Sequence, residues 1–169
     1  MGRHQAPRFV ADAMLGRLAR WLRVLDYDTC YQPELDDHQL VELANAEGRI
    51  LLTRDRHLVR FLRPARVLLI DASVPLEQLE QVILACRLPP PTALFRRCLL
   101  CNTPLCPARA GELSGHPPPL PPEGMAPVFQ CPRCRRLYWS GSHTRRMREA
   151  LYRALPGWLN RNGGDCLAD

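Results

Sequence analysis

The stretch Asp36-Asp-His-Gln-Leu-Val-Glu-Leu-Ala-Asn-Ala-Glu-Gly-Arg-Ile-Leu-Leu-Thr-Arg-Asp-Arg56 holds one complete helix-to-strand unit. Asp36 and Asp37 stand where a helix N-cap belongs, the residues through Glu47 read as helix, and Gly48 closes it. Arg49-Ile-Leu-Leu-Thr53 is then a short apolar run, the pattern of a strand covered on both faces. Asp55 comes just after that strand. The same pattern repeats outward. Arg8-Phe-Val-Ala-Asp12 is an apolar run ending in an acid. Met14 to Leu25 places Leu15, Leu18, Leu22 and Leu25 at helical spacing, with Arg17, Arg20 and Arg23 on another flank. Asp28 to Tyr31 and Arg66 to Ile70 read as strands, Arg56 to Leu62 and Leu76 to Cys86 as helices. Strands alternating with helices predict a parallel α/β sheet with right-handed crossovers.

At 169 residues the chain has room for one ordinary domain, or a small domain with a compact appendage. Apolar residues make up 46% and charged residues 24%, which provides a core and excludes wholesale disorder. No run of eighteen apolar residues exists, so a membrane span is not expected. The opening MGRHQAPRFVAD lacks the long apolar stretch of a secretory signal, and the expected compartment is the cytoplasm.

The composition changes along the chain. From Pro89 to Pro127 there are 11 of the 17 prolines, which excludes regular helix or central strand there. Ser142 to Leu155 regains helical spacing through Met147, Leu151 and Leu155, and Gly157 to Asp169 reads as a frayed end. We therefore divide the chain into an α/β domain over residues 1–90 and a second module over residues 91–169. All 23 basic residues are arginine, a bias that a high-GC genome also produces. Before Phe95 there are 12 Arg and 12 acids; after it there are 11 Arg and 5 acids, so the +6 excess lies in the second part. A basic half suits an anionic partner such as RNA, although surface arginine also serves plain solvation.

Two Cys-x-x-Cys turns, Cys98-Leu-Leu-Cys101 and Cys131-Pro-Arg-Cys134, enclose residues 102–130. In a reducing compartment they read as a four-cysteine Zn²⁺ site rather than two disulfides. Four thiolates leave no open position, so this zinc is structural. Cys106 is a nearby rival with the wrong spacing, and Cys30, Cys86 and Cys166 read as incidental thiols.

The alternation also puts Asp12, Asp37, Asp55 and Asp71 near one edge of the sheet. Several carboxylates there would suit a hard divalent ion such as Mg²⁺ or Mn²⁺, which can activate water against a phosphodiester. From the residues alone the other readings stay open: Asp37 and Asp55 serve equally as helix caps, and Asp71 as a turn residue. Arg17, Arg20 and Arg54 flank these acids and suit phosphate contacts. Arg145 and Arg146, with Arg133, Arg135, Arg136 and Arg148 nearby, join Tyr138, Trp139 and His143 in combining charge with stacking groups. A solvated helix face and a packed ribbon core explain those residues as well.

Phe9-Val-Ala-Asp-Ala-Met-Leu-Gly-Arg-Leu-Ala-Arg-Trp-Leu-Arg23, Asp37-His-Gln-Leu40 and Gly48-Arg-Ile-Leu-Leu-Thr-Arg-Asp-Arg56 together resemble the Mut-seven C-terminal RNase domain family. Arg97-Cys-Leu-Leu-Cys-Asn102, Phe129-Gln-Cys-Pro-Arg-Cys134 and Tyr138-Trp-Ser-Gly-Ser-His143 extend the resemblance over nearly the whole chain. It implies a PIN-like parallel sheet flanked by helices, followed by a zinc ribbon and a C-terminal helix. It also implies a metal-dependent ribonuclease whose acids are Asp12, Asp37 and Asp55, with Asp36 a neighbour able to assist and Asp71 a poorer match. A noncatalytic RNA-binding adaptor with a decayed acidic pocket is the alternative. A DNA nuclease is a weaker one, because divalent-metal phosphodiester chemistry does not choose its sugar.

Overall fold

A computed structural model describes residues 6–108 and 127–159. Strand β1 (Phe9–Ala11) is followed by a 3₁₀ turn over Ala13–Leu15, helix α1 (Gly16–Val24), β2 (Thr29–Tyr31) and α2 (Asp37–Glu47). Then come β3 (Ile50–Thr53), α3 (Arg56–Leu62), β4 (Val67–Leu69) and α4 (Pro75–Cys86). The four strands form one parallel sheet in the order β2-β1-β3-β4. The expected α/β architecture is therefore present.

The helix expected from Met14 begins differently. The Leu15 N–H closes on the Asp12 carbonyl at 2.8 Å, an i to i+3 bond, so the first turn is 3₁₀ and the α-helix starts at Gly16. Gly16 has its own reason to be bare: a Cβ there would come within 2.7 Å of the Tyr31 ring.

Alternate strand residues face opposite sides of the sheet. Phe9, Ala11 and Leu52 enter the larger core, which α1 and α4 cover. Val10 and Leu51 face the other way, against Leu40, Val41 and Ala44 of α2 and Leu58 of α3.

The second part builds a small antiparallel sheet from β5 (Cys106–Pro107), β6 (Phe129–Gln130) and β7 (Leu137–Tyr138), followed by helix α5 (Ser142–Ala154). Among the described residues, its apolar side chains do not form a core of their own. Leu94, Phe95, Leu99, Met147 and Leu151 belong to the same buried cluster as Leu18, Leu22 and Leu79. Two hydrogen bonds fasten the segment between them: Tyr27 Oη donates to the Pro89 carbonyl at 2.6 Å, and the Trp158 indole N–H donates to the Leu88 carbonyl at 3.1 Å. The frayed end expected from Gly157 is thus ordered at its start, since Leu159 is buried too. Residues 160–169, with Cys166, and residues 109–126 of the proline-rich loop lie outside the described residues. Among the described residues, no helix is long and apolar enough to cross a membrane.

Candidate functional site

In a sheet ordered 2-1-3-4, the direction of strand addition reverses between β1 and β3, and loops diverge there to leave a crevice at the carboxyl ends. Asp12 follows β1 at that point, and Thr53, the last residue of β3, lies beside it. The Thr53 hydroxyl donates to Asp12 Oδ2 at 2.7 Å, and both side chains are buried or nearly so. The same Thr53 oxygen accepts the Asp55 backbone N–H at 3.0 Å. One hydroxyl therefore orients the Asp12 carboxylate and fixes the backbone that carries Asp55. Sequence reasoning missed Thr53; its signal was a polar residue ending an otherwise apolar strand.

Asp55 is a helix cap, as its position allowed. Its Oδ1 accepts the N–H groups of His57 at 2.7 Å and Leu58 at 3.2 Å. Both bonds fall on one oxygen, and Oδ2 receives none among the described residues. The neighbours Asp36 and Asp37 are separated by the helix start. Asp36 forms a capping box: its Oδ1 accepts the Gln39 N–H at 2.9 Å while Gln39 Oε1 accepts the Asp36 N–H at 3.1 Å. Asp37 is the first residue of α2, exposed and outside that exchange. Asp71 pairs at the surface with Arg56, 3.0 Å away. The three carboxylates of Asp12, Asp37 and Asp55 share the sheet edge, but they do not form a group with one oxygen from each all within 4.8 Å.

A cleft of about 620 Å³ opens at the same edge. Arg17, Arg20 and Arg54 line it, together with Tyr31 at the end of β2 and Leu99 and Leu100 from the first Cys-x-x-Cys turn. Arg23, expected on the same flank as Arg17 and Arg20, is buried whereas those two are exposed. It donates to the carbonyls of Thr29 (2.9 Å), Leu99 (2.9 Å) and Leu100 (2.8 Å). Burial pushes its guanidinium below the usual arginine range, and the nearby thiols of Cys30, Cys98 and Cys101 act against that shift. Asn102 adds a second tie, accepting the Thr29 N–H at 3.0 Å and donating to Asp28 Oδ1 at 2.7 Å.

Cys98, Cys101, Cys131 and Cys134 bring their sulfurs within 4.8 Å of one another, the one such ligand group among the described residues. Cys106 is exposed in β5 and stands outside it. The Cys98–Cys134 and Cys101–Cys131 sulfurs lie 3.5 and 3.4 Å apart. A tetrahedral ion with ~2.3 Å metal–sulfur bonds needs sulfurs about 3.8 Å apart, so the cage has the size for one metal. Backbone N–H groups of Cys101 and Cys134 point back at Cys98 and Cys131 Sγ, at 3.5 and 3.4 Å, as knuckle turns do. Burial raises the Cys101 thiol, but hydrogen bonds from Thr103 and the neighbouring thiols outweigh it and bring it to about 6. Burial pushes Cys131 up to about 12 and also raises Cys134. The Cys101 proton leaves readily; those of Cys131 and Cys134 leave when a cation takes their place. Tyr138 braces the cage, its Oη lying 3.1 Å from Cys98 Sγ and accepting the Leu99 N–H at 3.1 Å.

Arg145 and Arg146 are exposed on α5 and line neither this cleft nor the pocket beside Trp139, whereas Arg148 is partly buried.

The chain matches the Mut7-C RNAse domain family over residues 7–151. Searches of curated proteins and of solved structures gave no match. The family match begins two residues before β1 and runs to Leu151 in α5, taking in the parallel sheet, the cysteine cage and the helix that joins their core; the chain belongs to the Mut7-C RNAse domain family.

Proposed function

We propose that this chain is a ribonuclease working with Mg²⁺ or Mn²⁺ at the carboxyl edge of its parallel sheet, with Zn²⁺ as the structural ion of the cysteine cage. The observation that carries the reading is the Asp12–Thr53–Asp55 hydrogen-bonded unit at the point where strand order reverses. The family match supports the chemistry. A bound divalent ion would supply activated water and neutralise charge building on the phosphodiester. Mg²⁺ keeps several of its waters and takes only one or two carboxylates directly, so acids placed at one sheet edge can serve it without all meeting at one point. Asp12 is held for that purpose by Thr53; Asp55 offers Oδ2; exposed Asp37 completes the set. Arg17, Arg20 and Arg54 would receive the phosphates flanking the scissile bond, and Arg145 and Arg146 the RNA beyond.

The second reading, a noncatalytic RNA-binding adaptor, draws on the failure of the three carboxylates to meet within 4.8 Å. One experiment decides between them. Purified protein is incubated with mixed RNA and DNA, with Mn²⁺ and without it, beside the Asp12→Asn variant. Cleavage of RNA that needs Mn²⁺ and disappears in Asp12→Asn supports the nuclease. Binding without cleavage by either protein supports the adaptor, and cleavage of DNA in preference to RNA reassigns the substrate.

A further inference from the structure

The aromatic residues of the second part surround a pocket that the acidic edge does not account for. It holds about 280 Å³ and lies between the ribbon, the first turn of α5 and α1. Tyr138, Trp139 and His143 supply flat walls, Leu137 an aliphatic one, and Arg20 and Arg136 its cations; no acidic residue lines it. Tyr138 is fixed by its bonds to the Cys98 knuckle. The Trp139 ring lies against bare backbone, since a Cβ on Gly141 would come within 3.2 Å of the indole nitrogen. That indole N–H finds no acceptor among the described residues. The pocket also communicates with the cleft at the sheet edge, because Arg20, Leu99 and Leu100 line both.

We propose that this pocket takes one unpaired nucleotide of a single-stranded RNA, whose backbone continues past Arg20 into the arginine-lined cleft. The proposal rests on the RNA reading above and adds the strandedness of the substrate. Three features favour this occupant. Aromatic walls beside guanidinium groups match the flat face of a base and its phosphate, and stacking is the usual means of holding unpaired bases. Cations without a neighbouring acid suit a polyanion, and the formal charge of the chain is +6. A recess this narrow excludes a duplex, in which bases are already stacked and paired.

The test measures anisotropy of a short fluorescein-labelled RNA, single-stranded or annealed to its complement, with the full chain carrying Asp12→Asn so that the probe survives. The single strand should bind more tightly than the duplex. Trp139→Ala should weaken single-strand binding roughly 5- to 150-fold, the worth of one stacked base, while Trp139→Phe keeps most of it. Arg136→Gln, at an exposed position, should lower the slope of log K against log salt by about 0.7 and guards against a Trp139→Ala chain that fails to fold. Unchanged affinity in Trp139→Ala and an unchanged slope in Arg136→Gln would overturn the proposal and give the pocket to a protein partner. Equal affinity for duplex would overturn it as well. A chain with no nuclease activity can still pass this test. Conversely, Mn²⁺-dependent cleavage whose KM ignores Trp139→Ala would leave the nuclease standing and remove the pocket.

Discussion

Replacing Arg23 by methionine removes three hydrogen bonds to backbone carbonyls and keeps most of the aliphatic volume. The Thr29 and Leu99 carbonyls are buried, so each loses its partner without water to replace it. An unsatisfied buried acceptor costs about 1–3 kcal/mol, giving roughly 2–6 kcal/mol for the two. The Leu100 carbonyl is only partly buried and adds little. Against this loss, the variant no longer buries a charge, and relief of that desolvation returns part of the cost. We expect a net loss of about 2–4 kcal/mol, a large share of the stability of a small domain. In urea, with a slope of about 2 kcal/mol/M, the unfolding midpoint should fall by about 1–2 M. The assay is urea unfolding of the zinc-loaded protein by circular dichroism, with Arg17→Met as the surface control. Leu99 and Leu100 lie between two cage cysteines, so Arg23→Met should also release zinc faster to a chelator. A midpoint within about 0.3 M of the control, with unchanged zinc release, would refute the clamp, because no orphaned carbonyl could then have been created.

Cys98→Ser should purify without stoichiometric metal, and elemental analysis with thiol titration should find the three remaining cage cysteines reactive; full metal occupancy would count against the cage. Asp55 can be divided into two roles. Asp55→Asn keeps an oxygen for the His57 and Leu58 N–H groups and should hold stability within about 0.5 kcal/mol, while Asp55→Ala should lose about 0.5–2 kcal/mol; both should lose Mn²⁺-dependent cleavage. Equal thermal stability of the two variants would show that the cap is idle. Asp28 should contribute to acid sensitivity. Burial raises its carboxyl, but hydrogen bonds from Arg49 and Asn102 prevail and hold it below the usual aspartate range. A depressed folded-state value means its stabilisation is complete above the unfolded value near 3.9 and is lost as pH falls through the lower folded one. Asp28→Asn should therefore flatten the stability curve below about pH 4, and a curve parallel to that of the unmodified chain would contradict the assignment.

The sequence was most legible where covalent spacing dictates geometry. Two Cys-x-x-Cys turns can close on one ion however long the loop between them, and their four sulfurs do converge. The strand-helix alternation was equally readable, because apolar period and capping residues agree at each step. Asp36 and Asp37 were not separable, since either fits an N-cap; only the reciprocal bonds with Gln39 assign the cap to Asp36. Arg23 was misread for a simple reason. Residues three apart on a helix of 3.6 residues per turn drift by about 60° per step, so the flank of Arg17 and Arg20 has turned inward by Arg23. The partners waiting there, the Leu99 and Leu100 carbonyls, are 76 and 77 positions away and leave no mark on the local pattern.

The common core has a consequence for how such a chain can change over generations. Leu99 and Leu151 belong, by position, to the ribbon and its trailing helix, yet they fill space against Leu18, Leu22 and Leu79. A drift in size on one side must be answered on the other, so the two parts accumulate substitutions as a pair rather than as tenants of one gene. Recombination that swapped the ribbon alone would deliver a cysteine cage intact and still leave Arg23 facing the wrong carbonyls. The heritable unit is the packed interface, and it runs from Phe9 to Leu159.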